Sequence, residues 1–139
     1  MRAVAEQTHK NMNGEILNSL GILTQDHRSF HPEKFFKYSP YSRVEVAKQA
    51  GVSRTNLYKD TVSLSTLKQL KKGILQVVIG LDYSIELFSN NTDEALKWFN
   101  SPNTMLSGES PFEVCLRGDG ESILNWLNAR LGHTDAKAF

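Results

Sequence analysis

The sequence predicts an all-α fold: a helix-turn-helix lobe, then a long helix, then a small C-terminal helical lobe. Three observations carry this. Apolar residues from Leu67 to Phe88 step by three or four throughout. Two shorter apolar stripes meet at Gly51, each with a capping serine in front of it. The stretch from Thr92 to Gly132 is cut into short helical pieces by Pro102, Pro111, Gly118 and Gly120. No convincing strand stands beside these. Val77, Val78 and Ile79 are β-prone but sit inside the 3.6-residue stripe and read as helix.

Taken in chain order, residues 1–40 carry the weakest pattern. Ile16, Leu17, Leu20 and Leu23 predict one short amphipathic helix, against the helix-weakening Gly14 and Gly21. Phe30, Phe35, Phe36 and Tyr38 then crowd between Pro32 and Pro40, as an aromatic-pinned loop or a partial turn of helix. From Ser42, the residues Val44, Val46, Ala47 and Ala50 form an apolar stripe, and Glu45 completes a capping box. Gly51 ends that helix, and Ser53 caps a second one over residues 54–59. The long helix spans residues 65–89; Gly73 and Gly80 inside it each cost about 1 kcal/mol and imply close helix packing. Thr92, Asp93 and Glu94 open the next helix, which Ser101-Pro102-Asn103 stops. Leu106 and Met105 are expected to plug a core, and Ser110 with Pro111 starts another helix. A last helix carries Ile123, Leu124, Trp126, Leu127 and Leu131 and ends at Gly132.

The charge is uneven along the chain. Net charge is +1 over 139 residues, but residues 1–80 hold 12 Lys/Arg against 6 Asp/Glu, and residues 81–139 hold 4 against 9. A basic half suits a polyanion and an acidic half suits a different partner. No apolar run reaches the roughly 18 residues that a membrane span needs. The first residues do not read as a secretory signal, and the single Cys115 excludes an internal disulfide. A cytoplasmic protein with no membrane partner is expected.

Residues 42–59 have helix-turn-helix spacing. Ala47 is small enough for two helices to cross, Gly51 suits the tight turn, and Val46, Ala50, Val52 and Leu57 anchor the pair. Arg54, Thr55, Asn56, Tyr58 and Lys59 then face outward, side-chain types that read base edges, with Ser53 at a helix N-terminus facing a phosphate. Arg43, Lys48, Lys68, Lys71 and Lys72 are candidate phosphate contacts. Double-stranded operator DNA is the expected partner. This stretch resembles the helix-turn-helix of many bacterial regulators. It departs at Asp60, where a second apolar anchor is common, with Val62 or Leu64 as replacements.

Ala95, Trp98, Ser101-Pro102-Asn103, Leu106, Gly108, Ser110-Pro111, Gly120 and Leu127 follow in an order that resembles the toxin-binding domain of Xre/MbcA/ParS-type antitoxins. The resemblance covers Thr92 to Gly132, and the long helix before it also fits. It implies four segments: an undefined stretch 1–40, a DNA-binding unit with the connecting helix 41–89, a toxin-binding domain 90–132, and a tail 133–139. It implies a partner toxin with a RES domain, related to ADP-ribosyltransferases and consuming NAD, together with autoregulation of a shared operon. A homodimer would set two recognition helices about 34 Å apart on a palindrome. Glu109 departs from the family, which commonly has a basic or polar residue before the serine. The exposed polar candidates for toxin contact are Asn103, Glu109, Glu113, Arg117, Asn128 and Arg130, with Phe139 ending a tail that would help to occlude the toxin.

Enzyme chemistry finds little support. His27 and His31 are four apart, but no Glu follows His27 and Pro32 disrupts the helix they would need. The string from Gly108 to Phe112 lacks the second glycine of a nucleophile elbow. Cys115 reads as a small core residue, and Trp98 and Trp126 read as core rings. No cofactor is expected. The alternative reading is a stand-alone transcriptional regulator whose C-terminal lobe serves dimerisation.

Overall fold

The computed structural model describes residues 16–132. Among these described residues the fold is mostly helical, as expected, with six α-helices: α1 (Pro32–Tyr38), α2 (Arg43–Ala50), α3 (Lys68–Leu87), α4 (Thr92–Phe99), α5 (Pro111–Leu116) and α6 (Glu121–Arg130). Short 3-10 helices occupy Arg54–Tyr58, Leu64–Thr66 and Thr104–Leu106. The absence of strands does not hold. A two-residue strand β1 (Ser29–Phe30) pairs antiparallel with β2 (Val62–Ser63), Ser29 opposite Ser63 and Phe30 opposite Val62. Strands this short have no periodicity to read, and only the pairing defines them.

Helix α3 organises the molecule. Its 20 residues, about 30 Å of helix, bury Leu70, Ile74, Val77, Val78, Leu81 and Ile85 as expected. Helices α4, α5 and α6 all pack on it. The two glycines mark the crossings. A Cβ on Gly73 would lie 1.7 Å from the Leu116 carbonyl oxygen of α5, and one on Gly80 would lie 2.7 Å from the Phe99 ring of α4. Gln76, buried on the same face, accepts the Gly120 N–H at 2.8 Å and so ties α3 to the start of α6.

Residues 16–31 contradict the amphipathic helix expected there. Asn18 and Gly21 both have left-handed backbones, at φ 57° and 69°, which an α-helix excludes. The Asn18 side chain instead bridges the Leu23 N–H and carbonyl, at 2.8 Å each. The Asp82 carboxylate of α3 accepts the N–H groups of Asn18 and Ser19, at 2.9 and 2.8 Å. Burial pushes the Asp82 carboxyl above its ordinary value, against the lowering effect of those N–H donors. The segment still delivers Ile22, Leu23 and Phe30 to the core.

The aromatic stretch after it is a seven-residue helix, α1, with Pro32 in its first turn. Its Phe35 joins a chain of buried rings. Phe30 meets Phe35 edge-on at 5.9 Å, Phe35 meets Phe112 of α5 at 5.8 Å, and Phe112 meets Phe99 of α4 edge-on at 6.0 Å. One hydrophobic cluster therefore runs from Ile22 through α3 to Leu127.

Candidate functional site

Two surfaces carry the expected contact residues, one on the α2 hairpin and one on the C-terminal lobe. The hairpin begins as expected. Ser42 Oγ accepts the Glu45 N–H at 3.2 Å, and the Ser42 N–H donates to Glu45 Oε1 at 2.8 Å, a complete capping box. Gly51 is left-handed at φ 68° and ends α2. Val46, Ala47 and Leu57 are buried, and so are Val62 and Leu64, which take over the anchoring that exposed Asp60 does not provide. Val44 departs from the expected stripe and is 46% exposed, because it lies off the face that meets Leu57.

The second half of the hairpin differs from expectation. Residues Arg54–Tyr58 form a 3-10 helix, not an α-helix, and Ser53 makes no side-chain cap bond. With five residues and about 2 Å of rise per residue, the segment is roughly 10 Å long. Its backbone must turn at once into Val62 and Ser63, whose pairing with β1 leaves no room for another helical turn. Ser53, Arg54, Thr55, Tyr58 and Lys59 are exposed, Asn56 is half-buried, and Lys48 is exposed on α2. Arg43 is engaged within the chain. Its Nε–H donates to the Leu57 carbonyl at 2.7 Å, and its guanidinium lies 4.9 Å from the Phe36 ring and 5.0 Å from the Tyr58 ring. It clamps the 3-10 segment to α1. Lys68, Lys71 and Lys72 are exposed on the first turns of α3, which hold no acidic residue.

On the C-terminal lobe, the loop between α4 and α5 closes on itself. Asn103 N–H donates to the Glu109 carbonyl at 3.0 Å, Gly108 N–H returns to the Asn103 carbonyl at 3.0 Å, and Asn103 Oδ1 accepts the Met105 N–H at 2.9 Å. Ser107 and Gly108 are both left-handed. The closed loop turns Met105 outward to 82% exposure, which corrects its expected place in the core. Leu106 is half-buried. Ser110 Oγ accepts the Glu113 N–H at 3.0 Å, and Pro111 opens α5, so this cap is as expected.

Met105 stands over an open apolar groove of about 350 Å³ lined by Trp98, Asn103, Leu106, Ser122, Ile123 and Trp126. Trp126 also departs from the core role expected of it, at 40% exposure. Its ring stacks on Trp98 at 6.0 Å and 18° between planes, and the Arg130 guanidinium lies 5.0 Å from it. Trp98 in turn contacts Phe88 and Phe99, each at 6.4 Å. The two indoles sit on α4 and α6, and only the packing of both helices on α3 brings them together.

Of the expected polar contacts, Glu109 and Arg117 form a two-pronged ion pair at 2.6 and 2.7 Å, and the Arg117 Nε–H also donates to Asp119 at 2.9 Å. That bonding holds the Glu109 carboxyl below the usual range and raises the guanidinium. Glu113 is half-buried beside Tyr41, whose phenol is raised by burial first and by the Glu113 charge second. Asn128 is half-buried, with Oδ1 lacking a hydrogen-bond partner among the described residues. Arg130 is exposed. Phe139 and the tail lie outside the described residues. Cys115 is fully buried, and burial pushes its thiol up to about 12. Among the described residues no group of His, Cys, Asp and Glu is placed to hold a metal, and no helix is long and apolar enough to cross a membrane.

Comparison with known proteins places this lobe. Residues 85–132 match the family described as the antitoxin Xre/MbcA/ParS C-terminal toxin-binding domain. The matched segment begins in the last turn of α3 and takes in α4, the closed loop, α5 and α6. No curated protein and no solved structure matches the chain. Over residues 85–132, the lobe with the closed loop and the paired indoles is similar to the toxin-binding domain of Xre/MbcA/ParS-type antitoxins.

Proposed function

We propose that this chain is an antitoxin that neutralises a RES-type toxin that consumes NAD and transfers ADP-ribose, and that it represses its own operon by binding DNA as a dimer in the cytoplasm. The match of residues 85–132 to a toxin-binding domain carries the reading. Inhibition is by protein contact: the lobe covers the toxin, and the antitoxin performs no chemistry of its own. The polar candidates divide by their surroundings. Arg117 and Glu109 stiffen each other across the rim of the lobe, while exposed Arg130 lies against the Trp126 ring and half-buried Glu113 lies beside Tyr41. Co-expression with a RES-domain toxin, sought in the reading frame adjacent to its gene, tests it. Growth rescue with restored NAD and a co-purifying complex are expected; normal toxicity and no complex would refute it.

For the DNA arm, Arg54, Thr55 and Lys59 are the exposed readers and Lys48 the flanking phosphate contact. A second reading has its own support. The recognition segment is about 10 Å of 3-10 helix, and Arg43 is spent on holding it, so the hairpin also suits a purely structural role. A gel shift on the upstream region with Arg54→Ala and Asn56→Ala separates the two. Operator binding predicts a sequence-specific shift that both substitutions weaken. No specific shift at modest salt leaves the hairpin as scaffold.

A further inference from the structure

The geometry points to the Trp98–Met105–Trp126 groove as the contact that seats the toxin, receiving a large apolar side chain from a surface segment flanked by Lys or Arg. This rests on the antitoxin reading above.

Four observations bear on it. The groove's lining residues, from Trp98 to Trp126, all lie inside the segment matched to a toxin-binding domain. Its rim combines an 82% exposed Met with a 40% exposed Trp, side chains that in water-facing positions cost the free protein and repay burial. The groove is already formed: Trp98 and Trp126 stack, neighbouring rings brace Trp98, and hydrogen bonds close the Met105 loop, so little ordering is left for binding to impose. Finally, residues 85–132 carry seven Asp/Glu against three Lys/Arg, a net −4. A second copy docked symmetrically, lobe on lobe, would bring like net charge to the interface, whereas a basic-flanked segment is attracted to the lobe.

The test measures association of the full chain with the RES-domain toxin that it rescues in co-expression, using Met105→Glu, Met105→Leu and Trp126→Ala. Circular dichroism and thermal melts report whether each variant folds. Met105→Glu should weaken binding by more than about tenfold with an unchanged melt, since the side chain is exposed in the free protein. Met105→Leu should stay near wild type. Trp126→Ala should weaken binding comparably, and added salt should slow association. Wild-type affinity in both Met105→Glu and Trp126→Ala, with wild type still binding, overturns the groove and leaves the antitoxin reading standing. Failure of wild type itself to bind overturns both. Sedimentation showing that Met105→Glu dissociates a homodimer while toxin binding is unchanged would assign the groove to a second copy and overturn the proposal.

Discussion

Replacing Gly73 by alanine would put a methyl group 1.7 Å from the Leu116 carbonyl oxygen and 2.6 Å from its carbon. A normal carbon–oxygen contact is near 3.3 Å, so α3 and α5 would have to separate by roughly 1.5 Å, and the obstacle is backbone that no side-chain rotation removes. Alanine gains about 1 kcal/mol in helix propensity over glycine. Overpacking typically costs about 1–3 kcal/mol, and a backbone clash lies at or above the top of that range. The expected result is a net loss of about 2 kcal/mol or more. Urea unfolding followed by far-ultraviolet circular dichroism reads it. At a slope of about 1–2 kcal/mol/M the midpoint should fall by about 1–2 M with the slope unchanged. Gly80→Ala is the internal comparison. There the obstacle is the edge of the Phe99 ring at 2.7 Å, which can tilt, so the loss should be smaller. A Gly73→Ala protein as stable as wild type, or more stable, would refute the idea that these glycines are crossing points.

Asp82→Asn keeps one acceptor but replaces the other with a donor facing the N–H it used to bind, and should cost about 1–3 kcal/mol in urea unfolding. Because burial raises the Asp82 carboxyl above 3.8, its contribution is fully present below the unfolded value and is lost as pH rises through the folded one; the stability of wild type relative to Asp82→Asn should therefore fall as pH is raised from about 4 towards neutrality. Arg43→Ala removes the bond to the Leu57 carbonyl and the contacts with Phe36 and Tyr58, and should cost about 1–2 kcal/mol, with faster amide exchange confined to residues 54–58. Cys115 should resist alkylation at pH 8 until denaturant unfolds the chain, since its thiol is buried and raised to about 12; rapid labelling of the native protein would contradict its place in the core.

How much of this was legible in the sequence follows from how far each stabilising group lies from what it stabilises. The Ser42–Glu45 capping box, the left-handed Gly51 and the Ser110 cap are each complete within one or two helical turns, and the stripe along α3 repeats on that same scale, so residue type and spacing were enough. The family resemblance of the C-terminal lobe was legible for the same reason: its proline, glycine and serine punctuation is local, and the match to residues 85–132 confirms it. Residues 16–31 were not legible. Their apolar spacing suggests a helix, but the Asp82 carboxylate that captures them lies more than 60 positions away, and the strand that pairs with Phe30 lies beyond the hairpin. The same limit applies to the candidate site. The sequence by itself determined the helical class, the long helix, the caps that start and stop α2 and α5, and the family that the C-terminal lobe resembles. Only the tertiary structure decided that Met105 and Trp126 face water, that two indoles from different helices stack into one groove, and that Arg43 holds a 3-10 turn. An apolar residue is buried or exposed according to what packs over it, and that surface is assembled from distant parts of the chain.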